Sequence, residues 1–379
     1  MKIQITASTK PNYTLKTTDA IEFSGKMSGI CYLNKPTDEL LAEDPSRSVG
    51  RALKNAQMGH HSVFGHVYYT LVLEDIPKIL AMVLNNEQVY NTSEKSARYT
   101  KMALTGPEKR LYDKWLSKLK KLIAAEYPDL SDKKVEMLAQ ENARYFISVF
   151  APTTTMAYTV DLRQLDYLMG WMEKYLECPE DSEFYAQLCS VFSEFLKQLQ
   201  PFKVEGLQSD HKRDSFSLFA SRGRQEEFGE NYSVNYSMSL AGLAQAQRHR
   251  TLSYEMSFLD GKTMFYTPLI VTKNHLKPEW LEDMNSIKDL YPQGMIVQIN
   301  ERGTAENFYL KCRERLCGAA QLEIMESTLM TLRRYVIAVP ENSPVYQLLE
   351  PLTIAPRCVT GWQCQSPCPF GKDAFERLV

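Results

Sequence analysis

The chain has 379 residues, of which 44% are hydrophobic and 24% are charged, an ordinary balance for one large globular domain or two smaller ones. Its formal net charge is -2, so overall charge gives no reason to expect a nucleic-acid partner. No run approaches the roughly 18 apolar residues that cross a bilayer, and the N-terminus MKIQITASTK lacks an apolar signal core. We therefore expect a cytoplasmic protein with no membrane partner, whose eight cysteines are thiols or metal ligands rather than disulfides.

Two stretches of the chain repeat the same order of segments. GHHSVFGH at 59–66 and GRQEEFGE at 223–230 share two glycines and a phenylalanine at equal spacing. Each leads through a strand-like aromatic run, HVYYTLVL or NYSVNYSM, into a helix-like stretch. Ordered correspondence is typical of two diverged copies of one unit, although short segments also match by chance. We expect units at 1–202 and 203–379, joined by the polar segment 201–215, which contains Pro and Gly.

Amphipathic patterns predict several helices in the first unit. In LYDKWLSKLKKLI an apolar stripe is formed by Leu111, Trp115, Leu119 and Leu122. The lysine-rich side opposite it we interpret as solvated rather than as a binding patch. Ser131 is placed to cap the next helix. SEFYAQLCSVFSEFLKQLQ groups Phe192, Phe195 and Leu199 on one side of a third helix.

The densest cationic tetrapeptide is Gln247-Arg248-His249-Arg250, which follows an alanine-rich helical stretch. It fits a solvated helix end, where positive charge suits the helix dipole. Successive helical residues point about 100° apart, so a regular helix cannot aim three of them at one small ligand. They can all bind only if the helix ends here or a large ligand wraps around it.

Two further features suit an anion. The loop Ser93–Tyr99 offers a serine hydroxyl, backbone N–H groups and the Arg98 guanidinium, a set that suits a phosphate but is also common in plain turns. Arg144 lies among apolar residues on a predicted helix, so it needs an anionic or carbonyl partner, either a ligand or an internal group.

The C-terminal cysteines do not form a recognisable metal motif. Cys358, Cys364 and Cys368 are separated by five and three residues, unlike the tight pairs of zinc fingers. Cys312 and Cys317 could add ligands, but free thiols are the preferred interpretation and no metal is expected. The chain also lacks a Walker loop, a Rossmann glycine fingerprint, HExxH and GxSxG, and no activated Ser or Cys nucleophile stands out.

Taken in order, these segments resemble the flavin-dependent thymidylate synthase family, which reads G-H-x-[ST]-x-F-E-H, a strand and helix, R-H-R, seven residues and S-x-R-Y. The first half keeps this frame from GHHSVFGH to SARYTK, but Asn86-Glu87-Gln88 stands in place of R-H-R. The second half keeps R-H-R at Arg248–Arg250, but only six residues precede Ser257 and no arginine follows closely.

Other segments resemble the family's remaining motifs. ENARYF resembles its A-R-x-x-L-P helix, with Arg144 as the arginine. TTTMAYTVDLRQL and TAENFYLKCRERLCGAAQLEI resemble T-x-F-x-x-T-x-N-A-R. The resemblance assigns Arg163 and Arg313 to its arginine and Asp161 and Lys311 to its asparagine. It also matches Arg315, six residues before Gln321, to the arginine that precedes A-Q-W-E-I.

The two halves have lost complementary motifs. Family sites lie between subunits of a tetramer, one subunit giving R-H-R and the arginine before A-Q-W-E-I, its neighbour giving E-x-S-x-R and the arginine of A-R-x-x-L-P. The second half keeps the first set and the first half keeps the second set: Arg248, His249, Arg250 and Arg315, and Glu94, Ser96, Arg98 and Arg144. Random decay would rarely leave one complete set, so the pattern indicates a working enzyme.

The resemblance implies reductive methylation of dUMP to dTMP, with methylenetetrahydrofolate as carbon donor, FAD as cofactor and NADPH as reductant. It implies that Arg315 is catalytic and that dUMP is bound by Gln245, Ser96, Ala97, Arg98, Arg144 and Arg315. It implies FAD contacts from Arg248, His249, Arg250, Arg313, Lys311, Glu94, His60 and Ser62. It further implies an α+β fold of two repeated units, each an antiparallel sheet packed by helices, and a homodimer that forms a pseudo-tetramer.

Two alternatives stay open. One is a sister enzyme that uses flavin and folate to modify another pyrimidine nucleotide, for which Asp161, Lys311 and Cys31 leave room because the family differs there. The other is a non-catalytic nucleotide-binding or scaffold protein.

Overall fold

A computed structural model describes residues 15–97, 100, 102, 104–177, 182–207, 216–220, 223–361, 364 and 368–379. The protein is α+β, with two antiparallel three-stranded sheets packed by helices. In these ranges no helix combines the length and the apolar character needed to cross a bilayer.

The first half contains one sheet. Three helices come first: α1 (Thr17–Tyr32), α2 (Thr37–Leu41) and α3 (Pro45–Gln57). The strands are β1 (Tyr68–Pro77), β2 (Tyr90–Glu94) and β3 (Pro152–Asp161), paired in the order β1-β3-β2. The short helix α4 (Lys78–Leu84) joins β1 to β2, and α5 (Gly106–Glu126) and α6 (Asp132–Ala143) precede β3. The long helices α7 (Leu162–Glu177) and α8 (Glu183–Leu199) follow.

The second half repeats this order. Its strands are β4 (Asn231–Ser239), β5 (Ser253–Phe258) and β6 (Ile296–Thr304), paired in the order β4-β6-β5. The short helix α9 (Leu240–Ala246) joins β4 to β5, and α10 (Leu269–Lys273) and α11 (Lys277–Ser286) precede β6. The helices α12 (Ala305–Arg315), α13 (Leu322–Ala338) and α14 (Pro344–Leu349) follow. The predicted α+β fold with two sheets is confirmed, and the equal strand order is consistent with two repeated units.

Alternation along the strands explains why these segments form sheets. In NYSVNYSM, Tyr232, Val234, Tyr236 and Met238 point into the core and are nearly inaccessible, while the residues between them are polar. A period of two matches one face of a β-strand, so this segment forms β4 with one buried face.

The two halves share an aromatic core. Trp115 of α5 stacks on Phe146 with ring centroids 6.1 Å apart and meets Trp280 of α11 edge-on at 4.8 Å. Beside it, the ammonium of Lys118 lies 2.5 Å from the carboxylate of Glu279 on α11. The lysine-rich side of α5, expected to be solvated, therefore also contacts the second half.

Candidate functional site

A cavity of about 240 Å³ lies between the two halves. The first half contributes the start of α4, the end of β2 and the turn after α6, and the second half contributes α9 and the end of α12. Seven of the predicted site residues line it together: Glu94, Ser96, Ala97, Arg144, Gln245, Arg248 and Arg315. Residues from opposite halves therefore meet within one chain.

The cationic tetrapeptide begins where α9 ends. The regular helix stops at Ala246 and Gln247 caps it, after which the backbone N–H of His249 bonds the Ala246 carbonyl at 2.9 Å in a tight turn. Because the chain has left the helix, the side chains that follow point to different partners. This is one of the two conditions under which the sequence allowed all three side chains, Arg248, His249 and Arg250, to be used.

Arg248 reaches across to the first half. Its Nη2 donates to Oε2 of Glu94 at 3.0 Å, and Asn85 Nδ2 donates to the same oxygen at 3.1 Å. The ammonium of Lys78 bonds the other carboxylate oxygen. Burial alone would raise the pKa of Glu94, but the charges of Lys78 and Arg248 outweigh it, so the net shift is downward. The carboxylate therefore stays ionised and holds two cations at the cavity wall.

His249 supports Arg315 instead of carrying a charge. Arg315 Nε donates to His249 Nε2 at 2.7 Å, which leaves the imidazole proton on Nδ1. Burial, together with the charges of Arg315 and Lys311, lowers the pKa of His249 from 6.5 to about 2. The neutral imidazole fixes the direction of the Arg315 guanidinium.

Arg250 also contacts the first half. Its Nη2 donates to the backbone carbonyl of Thr92 at 2.8 Å, and its guanidinium lies over the Tyr90 ring, 5.4 Å from the centroid. Both contacts attach the second half to strand β2, which carries Glu94 at its end.

Arg144 has an internal partner, one of the two possibilities left by the sequence. It follows α6, is 7% exposed, and donates through Nη2 to Oε1 of Gln321 in the second half. Gln321 in turn donates to the Tyr145 hydroxyl, which donates to Glu323 at 2.8 Å. Burial raises the pKa of Glu323, although it accepts hydrogen bonds from Ser239 and Tyr145. The network fixes Arg144 at the cavity.

Gln245 offers an unsatisfied acceptor in the cavity. Its Oε1 is buried and lacks a hydrogen-bond partner among the described residues. Ser96 and Ala97 line the same cavity, while the predicted phosphate ligand Arg98 lies outside the described residues. A buried amide oxygen without a partner is expensive, so a donor from a ligand would stabilise this site.

Residues 14–172 match the family model of the thymidylate synthase complementing protein. This region, less than half of the 379 residues, is similar to that family. The matched region contains Glu94, Ser96 and Arg144 of the cavity and ends within α7. Its members are the flavin-dependent thymidylate synthases. Among curated proteins, none matches the chain. The second half lies beyond the matched region, and its likeness to the first rests on strand order.

Two residues that the family resemblance assigned to flavin lie away from the cavity. His60 and Ser62 are exposed in and beside the short helix His61–His66, and neither lines the cavity. The His60 ring meets Tyr32 of α1 edge-on at 5.9 Å. Their role toward the flavin of a thymidylate synthase complementing protein stays a prediction.

Lys311 and Arg313, which the resemblance assigned to flavin, lie on α12 outside the cavity. Asp161 ends β3 and caps α7, its Oδ1 accepting from Gln164 N at 2.7 Å; Thr304 does the same for α12, its Oγ1 accepting from Asn307 N at 3.3 Å. Lys311 lies two turns into α12, is 1% exposed, and bonds Glu301. Arg313 is half-buried with its guanidinium 5.5 Å from the Tyr309 ring centroid. Neither lines the cavity.

The motif positions at which the two halves depart from the family, Asn86 and Glu87 in the first half and Glu255 in the second, contact other parts of the chain. Asn86 Nδ2 donates to Ser217 Oγ at 2.6 Å and to the Tyr254 carbonyl at 2.9 Å. Glu87 is fully buried and accepts from Ser217 N at 2.6 Å. Glu255 is held by two arginines, with Arg302 Nη1 at 2.6 Å. Asn86 and Glu87 therefore anchor the segment 216–220 through hydrogen bonds to Ser217.

Two residues of the site could not be predicted from the sequence. Lys78 lines the cavity, but in the sequence it is one lysine after Pro77 at the start of an apolar run, without a motif. In the sequence, Gln321 only marks the spacing that identifies Arg315, but in the structure it accepts a hydrogen bond from Arg144. The sequence feature that pointed to Gln321 was the apolar surroundings of Arg144, which required a hydrogen-bond partner but did not indicate its position.

The C-terminal cysteines lie apart from the cavity. Cys358 Sγ donates to the Gly371 carbonyl at 3.6 Å, and Cys312 and Cys317 are buried. Across the described part of the chain, no three or more His, Cys, Asp or Glu side chains are arranged to hold a metal ion.

Proposed function

We propose that this protein is a flavin-dependent thymidylate synthase that converts dUMP to dTMP, with methylenetetrahydrofolate as carbon donor and NADPH as reductant. The observation that carries the proposal is the single cavity in which Glu94, Ser96 and Arg144 of one half face Gln245, Arg248 and Arg315 of the other. These are the family's nucleotide-binding and flavin-binding sets, brought together although each half has lost one of them.

The cavity suits a pyrimidine nucleotide. Arg144 and Ser96 offer a cation and a hydroxyl for a phosphate, with the Ala97 backbone N–H beside them. The unpartnered Gln245 Oε1 is an acceptor for a ring N–H. Arg315, held by His249 Nε2 at 2.7 Å, is a fixed cation that stabilises negative charge on the ring as C5 gains its carbon.

The donor set also suits an anionic dinucleotide. Arg248 keeps 32% of its side chain exposed at the cavity, so it can contact a diphosphate while it holds Glu94. We expect Arg248 and Arg250 to hold FAD, which when bound supplies the hydride of the reaction. His249 acts through Arg315 in this scheme, and Lys311 supports the fold through Glu301.

A homodimer is part of the proposal. Glu94 and Arg248 meet within one chain, so that contact needs no second copy. His60 and Ser62 are exposed away from the cavity. They can reach a flavin only if a second copy presents them, as subunits do for each other in the family's tetramer.

The reaction is tested with the purified full-length protein, reduced FAD, NADPH and methylenetetrahydrofolate. We expect dTMP from dUMP, identified by mass, and no methylated product from dCMP or UMP. The alternative is a sister enzyme that modifies another pyrimidine nucleotide, for which Asp161, Lys311 and Cys31 leave room. Methylation of another nucleotide in place of dUMP would nevertheless establish that enzyme, and no product from any of them would refute the proposal.

We expect one FAD and one dUMP per chain. A second site, built on the R-H-R position of the first half, would offer Asn86 and Glu87 in place of arginines, and both of these residues already bond Ser217. Without a cation a phosphate loses its main source of affinity. Absorbance of the released flavin against protein concentration measures the first ratio, and titration calorimetry measures the second. Two equivalents of either ligand per chain would show that this second site also binds it.

A further inference from the structure

Lys78 is a charged residue of the cavity that no family motif includes. It is the first residue of α4, with 13% of its side chain exposed, and it lines the cavity. The next residue is anchored, because Ile79 N donates to the Val149 carbonyl at 2.9 Å. The backbone at Lys78 is therefore fixed, and the side chain extends from a rigid position.

The cluster around Lys78 has an excess of positive charge. The Glu94 carboxylate accepts from Lys78 and Arg248, and its third donor, Asn85, is neutral. Two cations thus share one carboxylate, of which none is exposed to solvent. Since only 13% of the Lys78 side chain is exposed, the net charge is partly buried, which is unfavourable unless a counter-charge reaches it. An anion that enters the cavity would supply that charge.

The surroundings of Lys78 indicate which anion. A second cation, the Arg144 guanidinium, lines the same cavity as Lys78. Ser96, Thr153 and Thr154 bring hydroxyl groups to the same cavity. A compact ammonium, a guanidinium and hydroxyl donors are a set that binds phosphate.

We infer that Lys78 is a phosphate ligand of the cavity, sharing its ammonium between Glu94 and the phosphate of a bound nucleotide. The inference rests on the proposed function for the identity of that nucleotide. The phosphate belongs either to the substrate, dUMP, or to the flavin, and the experiment below separates the two.

The test compares Lys78→Met and Lys78→Arg with the wild-type full-length protein by titration calorimetry. We expect Lys78→Met to weaken dUMP binding about ten- to hundredfold, the loss of one charge-assisted contact. Binding of deoxyuridine, which has no phosphate, should be unchanged, and Lys78→Arg should keep most of the affinity. The matched control is Lys203→Met, which removes an ion pair with Glu173 at 2.6 Å outside the cavity.

Flavin content of the purified variants identifies the source of the phosphate. Loss of FAD with unchanged dUMP affinity would assign the contact to the flavin, and loss of dUMP affinity alone would assign it to the substrate. If wild type binds no dUMP, the proposed substrate is wrong, and protection against heat by inorganic phosphate still tests Lys78. If Lys78→Met fails to fold, Lys78→Gln replaces it. Equal responses of wild type and the neutral variants to phosphate, dUMP and FAD would overturn the inference.

Discussion

Replacing Arg315 by alanine should lower turnover about 10²- to 10³-fold, the range seen when one preorganised charge-stabilising donor is removed. Arg315 lines the cavity, and the neutral His249 imidazole fixes its guanidinium. In the proposed reaction this fixed cation lies where negative charge develops on the pyrimidine ring. The variant should keep its flavin, because Arg248 and Arg250 remain.

The control is Arg313→Ala, two residues earlier on the same helix. Arg313 lies against Tyr309 and does not line the cavity, so we expect turnover close to wild type. Single-turnover and steady-state rates, measured with flavin content for each variant, separate chemistry from cofactor loss. Equal losses in both variants would mean that α12 matters as a whole and that Arg315 has no special role.

The sequence predicted the fold well because its signals were local. Alternation in NYSVNYSM fixes β4, and Ser131 caps α6 by accepting from Lys134 N as expected. The stripe of α5 was nearly right: Trp115 and Leu119 are fully buried, but Ile123 is buried in place of the predicted Leu122. Such errors of one position arise because a stripe wider than one residue fits the same 3.6-residue period.

Long-range contacts set the limits of prediction at the site. Arg144 called for a partner, but Gln321 lies 177 residues away and nothing in the sequence links them. The ends of β3 and β6 also look different in the sequence, since β3 ends in a capping Asp161 and β6 in a capping Thr304.

The structural role of Asn86 and Glu87 could not be predicted from the sequence either. In the sequence, Asn86 and Glu87 are notable only because they stand where the family has arginine and histidine. In the fold they bind Ser217, which follows the predicted linker. These two polar residues therefore have a structural role that accounts for their buried hydrogen bonds.

Glu94→Ala should reduce the free energy of unfolding by about 3 kcal/mol, because it leaves Lys78 and Arg248 without their shared carboxylate. The value is taken from the lower end of the range for a broken buried ion pair, since 32% of the Arg248 side chain is exposed. Denaturant unfolding of the full chain measures it. Glu94→Gln should destabilise less, because its amide oxygen still accepts a hydrogen bond.

The matched control is Glu314→Ala. This carboxylate is 64% exposed and lies 3.9 Å from His249 Nδ1, so its removal should change the free energy of unfolding by less than about 0.5 kcal/mol. Inorganic phosphate should restore part of the stability of Glu94→Ala but have a smaller effect on Glu314→Ala, because only the first exposes two unneutralised cations to an incoming anion. An equally stable Glu94→Ala protein, indifferent to phosphate, would show that the two cations do not depend on Glu94.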